Sequence, residues 1–220
     1  MNSGDLYKKI AGERAAELVE NGMVVGLGTG STVYYAIKKI GEMNIDVVGI
    51  PTSKATEKIA KEGKIKIGNI GDYKSIDIDI DGADEIDREL NLTKGRGGAL
   101  FREKMVAELS ERFIVVADES KLVKKLGEKA PLPVEVLPFG HRKTMRELEE
   151  FGCRVIKRDL ITDNGNWVVD CYFENPFPEP LRKFAEEIKG ITGVVEHGLF
   201  LGMADVAFVA GRSGLITLRV

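Results

Sequence analysis

Up to about residue 130 the sequence alternates short apolar runs with stretches of helical spacing, and this alternation narrows the possible folds more than any other feature. Lys8 to Glu20 reads as a helix, Met23 to Gly28 as a buried strand ending in glycine, Thr32 to Ile40 as a helix and Asp46 to Ile50 as a strand. Lys54 to Lys61 reads as a helix with Thr52 or Ser53 as N-cap. Ile65 to Ile67 and Ile76 to Ile80 are strand-like, Ala99 to Arg112 helical, and Phe113 to Ala117 a further buried strand. Consecutive β and α elements need crossover connections, which lay the strands parallel with helices on both faces. Ligands of such sheets bind outside the carboxyl ends of the strands.

From about residue 131 the character changes. Pro131, Pro133 and Pro138 surround a strand-like Val134 to Leu137, followed by a helix (Arg142 to Phe151) and a strand (Arg154 to Lys157). Asn164-Gly165 predicts a type I′ hairpin before the strand Trp167 to Phe173. A helix (Pro180 to Lys189) and a strand (Val194 to Phe200) complete a β-α-β-β-α-β order, the split βαβ pattern of a ferredoxin-like unit. Ala204 to Ala210 and Leu215 to Val220 are strand-like again. The expected division is a Rossmann-like α/β domain, mainly parallel, from residues 1–130 plus 204–220, and a smaller ferredoxin-like α+β domain from 131–203.

Composition removes several function classes. A net charge of −3 lacks the basic excess of a nucleic-acid binder. No apolar run approaches the ~18 residues that cross a membrane, and Met1 to Ile10 lacks the apolar core of a signal peptide. Cys153 and Cys171 show no Cys-x-x-Cys spacing and no neighbouring histidine, which points to a reduced, cytoplasmic protein. His141 and His197 are too few for a multi-histidine metal site, and His197 before Gly198 reads as structural.

Three segments carry chemistry. Gly26-Leu27-Gly28-Thr29-Gly30-Ser31-Thr32 joins a strand to a helix, where open N–H groups, the helix dipole and hydroxyls suit a phosphate. A dinucleotide fits less well, because Ser31 stands where the third glycine belongs and the next strand ends without a ribose-binding acid. A plain glycine turn capping a helix is the other alternative. Further on, Ile76, Ile78 and Ile80 alternate with Asp77, Asp79 and Asp81, so isoleucines share one strand face and aspartates the other. A calcium loop is excluded by Arg88 at its twelfth position and by the strand pattern before it. Some of these aspartates are expected to be solvated. Asp81 and Asp84, around Gly82-Ala83, are the functional candidates because the turn lies at a strand's carboxyl end. Lys94-Gly95-Arg96-Gly97-Gly98 then leads into a helix. A helical wheel groups Glu103 with Ala99, Met105, Val106, Ala107, Leu109 and Phe113, opposite Lys104, Glu108 and Glu111. A carboxylate on the inner face of a first turn, near a lysine and two aspartates, reads as a general base. Lys121 follows the next apolar strand and so falls on the ligand side of the sheet.

Taken together, these motifs resemble ribose-5-phosphate isomerase of the A type. The resemblance rests on residues 26–32, Asp-Gly-Ala-Asp-Glu-Ile (81–86), Lys-Gly-Arg-Gly-Gly-Ala-Leu (94–100) with Arg-Glu-Lys (102–104), and Val-Ala-Asp-Glu-Ser-Lys (116–121), with Gly-Leu-Phe (198–200) and Ala-Asp-Val-Ala (204–207) in support. It covers essentially the whole length. It implies a cofactor-free and metal-free aldose-ketose isomerase that interconverts D-ribose 5-phosphate and D-ribulose 5-phosphate in the pentose phosphate pathway, as a homodimer or homotetramer. Its implied proton acceptor is Glu103. Its implied substrate-binding residues are Thr29, Gly30, Ser31, Thr32, Asp81, Gly82, Ala83, Asp84, Lys94, Gly95, Arg96, Gly97 and Lys121. Asp81, Asp84 and Lys94 are also expected to act in catalysis. The competing readings are a sugar-phosphate-sensing effector module and a phosphosugar lactonase or deaminase built on the same anion loop.

Overall fold

The structure, a computed structural model, describes residues 2–219; Met1 and Val220, the first residue of the expected larger domain and the last of its final strand, lie outside them. In chain order its elements begin with α1 (Ser3–Ala16), β1 (Val24–Leu27), α2 (Val33–Glu42), β2 (Val48–Pro51), α3 (Lys54–Glu62), β3 (Lys66–Ile67) and β4 (Ile78–Gly82). β5 (Glu85–Ile86), β6 (Leu92–Thr93), α4 (Leu100–Leu109), β7 (Phe113–Asp118), β8 (Leu132–Val136), α5 (His141–Glu149) and β9 (Arg154–Ile161) follow. The series closes with β10 (Trp167–Tyr172), α6 (Leu181–Lys189), β11 (Val194–His197), β12 (Leu199–Phe200), β13 (Val206–Gly211) and β14 (Gly214–Arg219). The chain separates into two compact units. One holds the residues up to Ala83, Arg102–Lys121 and those from Met203; the other holds Asp84–Phe101 and Leu122–Gly202.

The first unit is built on a sheet of order β14-β13-β7-β4-β1-β2-β3, in which only the β13–β14 pair is antiparallel. Val25, Leu27, Ile78, Ile80, Ile114 and Val116 bury one face against Ala11, Ala15, Val33, Ile37 and Ile40 of α1 and α2. Each valine, leucine or isoleucine among them contributes roughly 1.5–3 kcal/mol when fully buried. Ile76 departs from the expected alternation: it precedes β4 and joins Ile50 and Val106 in a separate cluster. α1 starts earlier than its apolar spacing predicts, because the Asn2 side chain accepts the Asp5 N–H (2.8 Å) and caps it. Ser53, one of the two predicted caps, accepts the Thr56 N–H (3.1 Å) at the start of α3.

The second unit contains an antiparallel sheet of order β11-β8-β10-β9, the strand order of the β-α-β-β-α-β pattern, with Leu148 of α5 and Phe184 and Ile188 of α6 in one core with Val134, Val136 and Val169 of the sheet. Two features differ from the sequence expectation. The apolar run 194–200 is two strands broken at Gly198, and the second, β12, joins β6 and β5 in a separate three-stranded sheet. That sheet, together with Glu85, gathers residues 84–101 and 122–130 into this unit, although their sequence neighbours lie in the first. The Glu85 carboxylate, fully buried, accepts the N–H groups of Gly127 (2.6 Å), Lys129 (2.5 Å) and Ala130 (3.0 Å). The β9–β10 connection is also not type I′, which needs two positive φ angles: only Gly165 (φ 81°) has one, and Asn164 does not. Instead, Glu135 Oε1 collects Thr162 Oγ1 (3.0 Å), Asn164 Nδ2 (3.1 Å) and Asn166 Nδ2 (2.8 Å), fixing the turn from beneath.

Candidate active site

In the first unit the candidate residues stand at the carboxyl ends of three adjacent strands. β1 runs into Gly28-Thr29-Gly30-Ser31-Thr32, β4 ends at Asp81-Gly82, and β7 runs into a short 3₁₀ turn, Glu119–Lys121. β1, β4 and β7 are neighbours in the sheet, so Thr29, Asp81 and Lys121 share one edge. Asp81 is fully buried, and its Oδ1 accepts the N–H groups of Gly82 (2.6 Å) and Thr29 (3.1 Å). This packing explains Gly28: a Cβ there would collide with the Asp81 carboxylate. Gly30 adopts φ 136°, open only to glycine, which lets the loop turn into α2. At that helix start Thr32 makes no side-chain cap, and Ser31 is exposed. N–H groups at such a start suit an anion.

The Thr29 hydroxyl is committed elsewhere. It lies within hydrogen-bond reach of Thr52 Oγ1 (2.8 Å), Ser53 Oγ (2.9 Å) and Thr56 Oγ1 (3.1 Å), and Thr56 in turn donates to the Gly28 carbonyl (2.8 Å). Thr29 therefore ties the loop to the start of α3. Sequence reasoning missed this hydroxyl cluster, whose only trace is the Thr-Ser-x-x-Thr spacing at residues 52–56. It also missed Asp79, which is buried on the Asp81 side of β4 against Gly26 rather than solvated.

Glu103 lies in the first turn of α4 and is 3% exposed. The helix runs back across the sheet: at its far end the Leu109 carbonyl accepts the Ile76 N–H (3.0 Å) just before β4. Val106 sits over Gly26, level with Asp79. Glu103 is one turn closer to the carboxyl edge, an advance of about 4.5 Å; Asp81 is two residues further along β4 than Asp79, about 6.6 Å. Helix and strand geometry thus bring Glu103 to the edge occupied by Asp81. The helical wheel is corrected at two positions. Met105 is 46% exposed, while Lys104 is 7% exposed. α4 buries two adjoining stripes, Glu103-Val106, which continues from Ala99 just before the helix, and Leu100-Lys104-Ala107, so a single apolar arc does not describe it.

The remaining candidates lie in the second unit. Lys94 is 3% exposed; its N–H donates to the Gly198 carbonyl (2.8 Å), and its ammonium stands over the Phe200 ring, 5.4 Å from the centroid. A Cβ on Gly198 would collide with the Lys94 carbonyl, so glycine is required for this approach. Asp84 donates its N–H to Thr93 (2.7 Å), and its Oδ2 accepts the Arg96 N–H (2.9 Å). The Gly95 and Arg96 carbonyls both accept from Arg158 Nη1, at 2.9 Å. Gly97 and the Arg96 side chain are exposed. Arg158 carries no local sequence signal for this role, and Gly198 and Phe200 are marked only by the family resemblance.

Comparison with known proteins follows the same lines. The family model for Ribose 5-phosphate isomerase A (phosphoriboisomerase A) matches residues 48–214. The chain is 45% identical to Ribose-5-phosphate isomerase A 1 of Oceanobacillus iheyensis, over 98% of this chain and 99% of that protein. It is 42% identical to the ribose 5-phosphate isomerase of Plasmodium falciparum, with a TM-score of 0.95 and coverage of 98% and 99%. A D-ribose-5-phosphate isomerase solved in complex with phospho-erythronic acid is 40% identical, with a TM-score of 0.95 and full coverage of both chains.

Proposed function

The chain belongs to the ribose 5-phosphate isomerase A family, and we propose that the candidate residues named above divide the work of that isomerisation among them. The reaction interconverts D-ribose 5-phosphate and D-ribulose 5-phosphate. The comparisons favour neither the sensor reading nor the lactonase or deaminase reading.

Glu103 takes the proton from C2 of the open-chain aldose, giving a cis-enediolate, and returns it to C1. The hydroxyl proton moves from O2 to O1; Asp81 either carries that transfer or assists ring opening. Lys94 stabilises the negative charge that develops on these oxygens. Asp84 holds sugar hydroxyls and orients Lys94. Ser31, Thr32, the N–H groups at Gly30 to Thr32, and Lys121 hold the phosphate, so that C1 and C2 are presented to the base. Thr29 shapes that loop through its hydroxyl cluster. Gly82, Ala83, Gly95, Arg96 and Gly97 line the substrate through their backbone.

The observation that carries this reading is the burial of Glu103 in the first turn of α4, with Asp81 buried at the carboxyl end of β4. A carboxylate in that place is poised for proton transfer rather than for solubility. The decisive experiment is a coupled isomerase assay in deuterated solvent. Turnover with deuterium at C1 of ribulose 5-phosphate supports proton transfer through Glu103; turnover with no solvent deuterium at any time would favour hydride transfer and remove Glu103 from its role.

A cytoplasmic homodimer or homotetramer acting in the pentose phosphate pathway completes the reading. Among the described residues no helix is long and apolar enough to cross a membrane.

A further inference from the structure

We propose that Arg158 is a positioning residue for Asp84, acting through the one peptide group that joins Gly95 to Arg96. The inference rests on the assignment of Asp84 to the active site. Arg158 stands on β9, more than sixty residues from the segment it holds. Its Nη1 donates to the carbonyls of Gly95 and Arg96, both at 2.9 Å. Its Nε and Nη2 donate to Asp170 Oδ2 (2.7 Å) and Oδ1 (2.5 Å) on β10. The two side chains are 17% and 11% exposed, so the planar fork is shielded and fixed by a two-point ion pair.

The carbonyl of Gly95 and the N–H of Arg96 belong to the same rigid plane. Arg158 holds the carbonyl side of that plane, and the N–H side donates to Asp84 Oδ2 at 2.9 Å. The two groups point in opposite directions, so any rotation that frees the carbonyl also swings the N–H away from Asp84. Gly95 has φ 109° and no Cβ, so its own sterics resist such a rotation least. The Gly98 N–H grips the same carbonyl from within the segment (3.0 Å), and Arg158 adds the hold from outside it. A cationic donor on the carbonyl also polarises the peptide and strengthens its N–H toward the carboxylate. Asp84, Arg96, Arg158 and Asp170 line one cavity of about 290 Å³, so the arrangement borders open space rather than lying sealed in the core.

A purely structural Arg158 would fasten a loop and nothing more. A double-mutant cycle on kcat/KM separates the two roles, with thermal unfolding recorded for every variant. Arg158→Gln is expected to lower kcat/KM by about 10²-fold, the scale of a misplacement of ~1 Å. Asp84→Asn combined with Arg158→Gln should be about as slow as the slower single variant, because both remove the same contribution. Arg158→Lys should not restore activity, since an ammonium cannot span two carbonyls and grip Asp170 at two points. Asp170→Asn should lower kcat/KM by less than Arg158→Gln, and its effect should likewise fail to multiply with that of Asp84→Asn; this variant carries the cycle if Arg158→Gln does not fold. The inference is overturned if the single effects multiply, or if Arg158→Gln turns over like the wild type while Asp84→Asn is slow. A silent Asp84→Asn in an active protein would remove the site assignment, and this inference with it.

Discussion

Asp81 in the first unit and Lys94 in the second are both buried, yet they are held by different means. Asp81 ends a central parallel strand, and the neighbouring strands set its surroundings at the ~4.8 Å spacing of any sheet. Lys94 follows a two-residue strand and leads into an irregular segment. That segment is fixed by groups far away in the chain: the Gly198 carbonyl, the Phe200 ring and the Arg158 guanidinium. A site at strand ends needs topology and a glycine. A site on a loop needs long-range partners, each of which becomes a separate place where substitution can do harm.

The strongest test of the first unit's role is Glu103→Gln. A positioned base supplies ~10²–10⁴-fold, so kcat is expected to fall by that much with little change in KM, and near-wild-type turnover would sink the assignment. Next come two glycines that press against the two differently held residues. Gly28→Ala meets the Asp81 side chain down to its Cβ (2.5 Å), a clash that side-chain rotation does not clear; Gly198→Ala meets the Lys94 carbonyl. Each is expected to lower kcat/KM by about 10²-fold, and near-wild-type turnover of either variant would undo the account of how its neighbour is held. Glu85→Gln weakens the second unit without touching the chemistry. Gln cannot accept all three N–H groups, which costs about 2–3 kcal/mol. Trp167, the chain's one tryptophan, lies in that unit, so its fluorescence in urea reads the shift directly, while kcat in native buffer should hold. The smallest effect is expected at exposed helix pairs. Lys61→Ala in the first unit and Lys143→Ala in the second each remove an i,i+4 pair and should cost about 0.3–0.5 kcal/mol by denaturant unfolding.

The same contrast governs what could be read from the sequence. The parallel sheet, the loop after β1, the Asp81 turn and the inner placement of Glu103 all follow from short-range periodicity and glycine placement. The three-stranded sheet did not, because β5, β6 and β12 are two residues each and make no period. The sequence boundary near residue 131 missed Glu85, whose partners lie 42 to 45 residues away. The α4 wheel misplaced Met105 and Lys104 because it assumes one buried face, and this helix has two stripes. The hairpin at Asn164-Gly165 was recognised as a turn but given the wrong type, since Glu135 reshapes it from another strand.

The chain passes from one unit to the other after Ala83, Phe101, Lys121 and Gly202. A ribosome delivering ~5–20 residues per second releases β7 long before β13, the strand that pairs beside it. Between them comes most of the second unit, and for roughly 5–20 s at those rates β7 presents a bare edge, the kind of template on which strands of other chains can add. The sheet of the first unit thus waits on a strand made after most of the second unit, and the exposure of its edge falls during synthesis.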